Sequence, residues 1–241
     1  MESRYYPIFV SLKRRVCLVV GGGRVGERKI RRLLEYGASI RIAARTLTQW
    51  LEFQRGAGTV VLVGEDYDGA LLEGVHLVFA ATSDPALNRR VSLDAEARGI
   101  WCNMATDPEL GSFIAPALFR RGPLSIAIGT QGLSPALAVK IREDMEARYG
   151  PEWEALLDFL GLLRKAVQTR QLGADEDHRI FKEVAELPLA QWMRAGAREA
   201  AVAAIHSACG AAVSREELAR FWDETWKAFF SFSQPSVTSL E

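Results

Sequence analysis

Six residues, Gly21-Gly22-Gly23-Arg24-Val25-Gly26, carry the spacing G-x-G-x-x-G between a short apolar run and an amphipathic segment. That is the context in which this spacing serves dinucleotide binding. Gly21 allows a sharp turn, Gly23 lets a pyrophosphate approach the backbone, and Gly26 lets the following helix pack close. The free amides and the dipole at the helix start then hold the phosphates. A Walker A loop is excluded, because Glu27-Arg28 follows Gly26 where Lys-Ser or Lys-Thr is needed. After the second strand, where an acid binding the ribose 2′-hydroxyl is usual, the chain reads Ala43-Ala44-Arg45-Thr46. An arginine there can accept a 2′-phosphate, so NADP stays open.

In an open α/β sheet the reacting groups lie beyond the carboxyl ends of the strands. Thr82, Asn103, Thr106 and Asp107 fall there, and Asp107 is the best available base. The three histidines, His76, His178 and His206, form no i, i+4 pair, and His76 opens an apolar strand, which suits packing. Cys17, Cys102 and Cys209 are odd in number and far apart. No disulfide framework and no metal site are expected.

The elements that position these residues follow from apolar periodicity. Val16–Val20 is a strand, Arg24–Tyr36 a helix stopped by Gly37, and Ser39–Ala44 a second strand. Thr48–Gln54 is a short helix, Thr59–Val63 a third strand and His76–Ala81 a fourth. Pro85–Arg98 is a helix with proline in its first turn, and Ile100–Met104 a fifth strand. Strands alternating with helices give a parallel, doubly wound sheet. Beyond Asp107 the alternation stops. Ser112–Pro116 and Leu124–Ile128 read as further strands, Ser134-Pro135 opens a helix, and the chain to Phe230 is mainly helical.

The 241 residues balance 30 Lys and Arg against 30 Asp and Glu. A zero formal charge argues against generic nucleic-acid binding. No stretch reaches the roughly 18 uninterrupted apolar residues of a membrane span. The first residues lack a secretory apolar core, so a cytoplasmic location is expected.

Three segments resemble one family. They are YYPIFVSLKRRVCLVVGGGRVGERKIRRLLEYGA, LVFAATSDPALNRRV and WCNMATDPELGSFIAPALFRRGPLSIAIGTQGLSPALAVKIRE. The chain resembles the precorrin-2 dehydrogenase/sirohydrochlorin ferrochelatase family, including the N-terminal part of siroheme synthase. The resemblance implies a Rossmann-type NAD(P)-binding domain over 1–112, a small dimerisation region over 113–148 and a helical C-terminal region over 149–241. It implies NAD-dependent oxidation of precorrin-2 to sirohydrochlorin by a homodimer, with Fe2+ as a second substrate where iron is inserted. Cofactor contacts carry over to the glycine loop, especially Arg24 and Val25, to Arg45-Thr46 and to Thr82. Asn103, Arg120 and Arg121 are expected at the substrate. The eight carboxylates that the resemblance implies for precorrin-2 need cations to orient them, and Lys140 and Arg142 are further candidates. Thr130 falls where some members carry a phosphorylatable serine.

One departure bears on catalysis. The family's aspartate stands three residues after the asparagine, a position held here by Thr106, with the carboxylate one place later at Asp107. On a strand such a shift turns a side chain to the opposite face. Thr106 and Asp107 are therefore the catalytic candidates, and iron insertion is in question. Two rivals remain: a nucleotide-sensing Rossmann domain without catalysis, and another small-molecule oxidoreductase. The first explains the glycine loop but neither NMATDPELGSF nor GTQGLSP, and the second lacks a Tyr-x-x-x-Lys pair.

Overall fold

The fold is known from a computed structural model, which describes residues 5–104, 107 and 110–233, with side chains described as far as Lys227. The chain divides into two compact units. One contains the chain up to Pro116 together with Gln131–Leu133, and the other contains Ala117–Thr130 and the chain from Ser134 onward.

The first unit is a five-stranded parallel sheet. Its strands are β1 (Val16–Val20), β2 (Ser39–Ala43), β3 (Val60–Gly64), β4 (Leu77–Ala80) and β5 (Trp101–Met104), in the order β3-β2-β1-β4-β5. Between them run α1 (Arg24–Glu35), α2 (Gln49–Gly56) and α3 (Pro85–Glu96). β1 is buried on both faces, as the valine-rich run requires. On one face Ile30 and Leu33 of α1 and Leu51 of α2 pack against Val19, Ile42 and Phe79. On the other, Val91 and Ala95 of α3 pack against Leu18, Val78 and Cys102. Asp84 caps α3 by accepting from the amides of Ala86 and Leu87, and Gly37 follows α1 with φ +70°. His76 lies just outside β4 and is exposed rather than packed; its Nδ1 accepts from the amide of Val16 at 3.2 Å, which ties it to the start of β1.

The expected strand Ser112–Pro116 is not formed. Ser112 turns its hydroxyl onto the Cys102 amide at 2.7 Å, while its own amide donates to the Cys102 carbonyl at 2.9 Å. The Asn103 amide group donates to the Phe113 carbonyl at 3.0 Å. The segment thus closes the free edge of β5 by irregular bonds rather than a ladder. The strand comes later, as β6 (Ala117–Arg121), past Pro116.

In the second unit β6 pairs antiparallel with β7 (Leu124–Ile128). The two-residue turn between them begins with Gly122 at φ +49°, a conformation that suits glycine. Among the described residues six α-helices follow: α4 (Pro135–Arg148), α5 (Glu152–Thr169), α6 (Ala174–Glu186), α7 (Leu189–Ala195), α8 (Arg198–Cys209) and α9 (Arg215–Ser233). Ser134 caps α4, as the Ser-Pro pair predicts. Phe159, Leu163, Ile180, Met193, Ile205 and Trp222 fill the helical core. All three cysteines are buried and free, and burial raises the Cys17 and Cys209 thiols to about 11. Among the described residues no helix is long and apolar enough to cross a membrane.

Candidate functional site

The strand order reverses at β1, whose neighbours are β2 and β4. A crevice at such a reversal is where open α/β sheets bind ligands. The glycine loop sits there. The amide of Gly21 donates to the Ala43 carbonyl at 2.9 Å, which ties the end of β1 to the end of β2. Gly21 has φ +116°, and a Cβ on it would stand 2.5 Å from the Ala81 carbonyl oxygen, just past β4. The loop is wedged between two strand ends with room for hydrogen alone.

Gly26 is equally constrained, since a Cβ there would lie 2.1 Å from the carbonyl oxygen of Gly21. Gly22, to which the spacing assigns no role, is closed off by the segment after β2. Its Cβ would lie 2.1 Å from the Thr46 carbonyl oxygen, and its own carbonyl accepts from the Thr48 amide at 3.1 Å. Gly23 behaves in the opposite way. Its backbone is extended, it opens α1 as the N-cap, and a Cβ there would meet nothing within 4 Å. Three glycines hold the loop in shape, and the fourth faces open space at a helix N-terminus. These residues fit a dinucleotide pyrophosphate.

The adjoining loops are held by side chains. Thr48 caps α2 and its hydroxyl donates to Glu27 in the first turn of α1. That bond, followed by the one from Arg31, holds the Glu27 carboxyl below its usual value. Past β4, Asn88 is fully buried. Its Oδ1 accepts from the Thr82 amide at 3.1 Å and hydroxyl at 2.8 Å, while its Nδ2 donates to the Thr82 carbonyl at 3.0 Å. Nothing in its local sequence marks Asn88 apart from its place on the buried face of α3, which it shares with Val91, Ser92 and Ala95.

Gly21 to Gly26, Arg45, Thr46 and Thr82 thus occupy the carboxyl ends of β1, β2 and β4. Arg24, Val25, Arg45 and Thr46 are exposed. Arg45 is ion-paired with Asp66, which the sequence did not suggest. Asn103 is the last residue but one of β5, buried, and its Oδ1 finds no partner among the described residues. Asp107 is half-buried and its carbonyl accepts from the Leu110 amide at 3.3 Å. Thr106 lies outside the described residues. Arg120 and Arg121 are on β6, in the other unit, and Arg121 donates to the Tyr149 carbonyl at 3.3 Å. Lys140 and Arg142 pair with acids of their own helix, Asp144 and Glu146. The hydroxyl of Thr130 accepts from the Ser134 amide at 3.3 Å. Among the described residues no group of three or more His, Cys, Asp or Glu could hold a metal ion.

A parallel sheet reversing at a glycine loop and helix N-terminus defines a nucleotide-binding protein of the Rossmann type. Residues 8–117 match the family described as "Putative NAD(P)-binding", and residues 121–148 match "Sirohaem biosynthesis protein central". Carrying the two in succession, the chain belongs to the precorrin-2 dehydrogenase and siroheme synthase family. It is 39% identical over 197 residues to siroheme synthase of Chromobacterium violaceum, covering 82% of this chain and 42% of that protein. It is 38% identical over 207 residues to siroheme synthase of Sodalis glossinidius, covering 86% and 44%. The chain therefore spans less than half the length of these curated relatives. The solved structure of the precorrin-2 dehydrogenase SirC superposes with a TM-score of 0.68 at 26% identity, covering 92% of this chain and all of that one.

Proposed function

We propose that this chain oxidises precorrin-2 to sirohydrochlorin with a nicotinamide dinucleotide, NAD being the cofactor that the family resemblance implies. The observation that carries this reading is the glycine loop. It is rigid at Gly21, Gly22 and Gly26 and open at Gly23, in a chain whose full-length structural counterpart is a precorrin-2 dehydrogenase.

The oxidation removes one hydride and one proton from the substrate. The dinucleotide, when bound, supplies the hydride acceptor. The chain supplies the rest. The amides at the start of α1 bind the phosphates, and Asn88 fixes the loop past β4. Asp107, past the end of β5, takes the proton. Asn103 shapes that same strand end through its bond to Phe113. Arg120 and Arg121 supply positive charge for the carboxylates of the tetrapyrrole.

Metal insertion is a separate demand. Two pyrrole protons must leave as a cation enters, so the reaction depends on an accurately placed base. With Thr106 at the aspartate position and the carboxylate at Asp107, Fe2+ insertion is weak in our reading. The working form is a homodimer, with residues from about 113 to 148 providing much of the contact.

The test is purified protein with precorrin-2 and NAD+, followed by absorbance, with and without Fe2+ or Co2+. Sirohydrochlorin and NADH forming in equal amounts supports the reading. A protein that binds the dinucleotide yet turns over no precorrin-2 favours the nucleotide-sensing alternative. A monomer by light scattering at micromolar concentration refutes the dimer.

A further inference from the structure

The peptide between Gly22 and Gly23 is gripped from one side. Its carbonyl accepts from the Thr48 amide at 3.1 Å. In a planar trans peptide the carbonyl and the following amide point in opposite directions. The Gly23 amide is therefore turned away from Thr48. It finds no acceptor among the described residues, and it belongs to the N-cap of α1. A donor of this kind at a helix start is what holds a phosphate. Its aim is set by whatever fixes Thr48.

Thr48 is fixed by both neighbouring helices. It is the N-cap of α2, and its Oγ1 accepts from the Leu51 amide at 3.3 Å. The same hydroxyl donates to one carboxylate oxygen of Glu27, in the first turn of α1. Arg31, one turn on, holds the other oxygen with Nε at 2.8 Å and Nη2 at 2.7 Å. The Arg31 guanidinium lies 3.8 Å from the centre of the Trp50 ring, back on α2. A hydroxyl bonded to a carboxylate is held more strongly than one bonded to a neutral acceptor. The Glu27 side chain is only 20% exposed, so water competes for it in part. Thr48, Glu27, Arg31 and Trp50 thus close a ring of contacts between the first turns of α1 and α2. The side chain of Thr48 anchors that ring, and its backbone orients the glycine loop.

We propose that Thr48, braced by Glu27, is a positioning residue for the dinucleotide: it aims the Gly23 amide at the pyrophosphate without itself touching the ligand. The proposal rests on reading this end of the sheet as a dinucleotide site. Glu27 acts through Thr48, so the two behave as one unit.

Calorimetry with NAD+ on the full chain, and steady-state turnover of precorrin-2, test it. Each variant is first melted, and binding is measured well below its melting temperature. Thr48→Val should raise the NAD+ dissociation constant about fivefold or more, and Thr48→Ser should stay within about twofold of wild type. Glu27→Met, which keeps Thr48 as the cap of α2, should raise it about threefold or more. The double variant should be no weaker than Thr48→Val by more than about twofold, because coupled residues are not additive. The KM for NAD+ should rise with the dissociation constant while kcat stays within about twofold, the mark of lost binding rather than lost chemistry. Folded Thr48→Val and Glu27→Met proteins that bind NAD+ as wild type does overturn the proposal and leave the dinucleotide site standing. Independent, multiplying losses in the double variant overturn the link through Glu27. A fall in kcat with unchanged NAD+ affinity overturns the positioning role. If Thr48→Val does not fold, Glu27→Met alone decides. If the folded wild type binds no NAD+, the underlying reading falls as well.

Discussion

Gly23→Asp separates the fold from the site. Gly23 has φ −80° and ψ −173°, ordinary extended geometry, and its Cβ would meet no atom within 4 Å. It is also the N-cap of α1, where aspartate is preferred over glycine by a few tenths of a kcal/mol. The variant should therefore melt at the wild-type temperature or about 1 °C above it. The new carboxylate would stand where phosphate must approach. A unit charge about 5 Å from another, at an effective dielectric constant of about 20 to 40, costs about 2–3 kcal/mol. The dissociation constant for NAD+ should rise roughly 30- to 150-fold. Gly22→Ala is the contrasting variant. Its methyl group would stand 2.1 Å from a backbone oxygen, so overpacking should cost about 1–3 kcal/mol and lower the melting temperature by roughly 3–10 °C. Calorimetry and differential scanning on the two variants measure both quantities. A folded Gly23→Asp protein that binds NAD+ with unchanged affinity would refute the placement of the phosphates over Gly23.

The remaining expectations concern three other positions. Asn88→Ala removes three bonds to Thr82; it should cost about 2–4 kcal/mol by denaturant unfolding and weaken NAD+ binding, and an unchanged midpoint would contradict the role given to Asn88. Asp107→Ala should lower the turnover of precorrin-2 about tenfold or more, while Thr106→Asp should raise Fe2+ insertion; a wild type that inserts Fe2+ well above the spontaneous rate argues against the weight placed on this shift. The Glu27 carboxyl is held below its usual value by Thr48 and then by Arg31. Its contribution to stability is complete above the ordinary carboxylate range and is lost as pH falls through the lower folded value. Glu27→Gln should flatten the loss of stability on acidification from about pH 5 downward, and parallel curves for wild type and variant would count against it.

What was legible in the sequence was local. The strand, glycine turn and amphipathic helix from Val16 to Glu35 announce themselves by periodicity and by the glycine spacing, and Pro85 announces the start of α3. Gly22 was opaque because its constraint comes from Thr46, brought against it by β1–β2 pairing rather than by any short-range pattern. The Arg45–Asp66 pair has the same origin in β2–β3 pairing. The strand at Ser112–Pro116 was misplaced for a different reason. A serine hydroxyl competes for the backbone of Cys102, and the alternation in Ala117–Arg121 is masked by its two terminal arginines.

The position of Gly21 between two strand ends has a bearing on the order of assembly. β1 pairs with β2 across a short span of chain, Val16 with Ser39, but reaches β4 only across the whole intervening segment, Cys17 with Leu77. Closing the longer loop is the slower event on a folding pathway. Until it closes, the β1–α1–β2 segment has its glycine turn but lacks the Ala81 carbonyl that confines Gly21 and the Asn88 brace that confines Thr82. The phosphate cradle is thus completed by the late, non-local step. A nucleotide bound there would draw the population toward the closed sheet and slow its opening, so occupancy would act as a kinetic latch on the first unit.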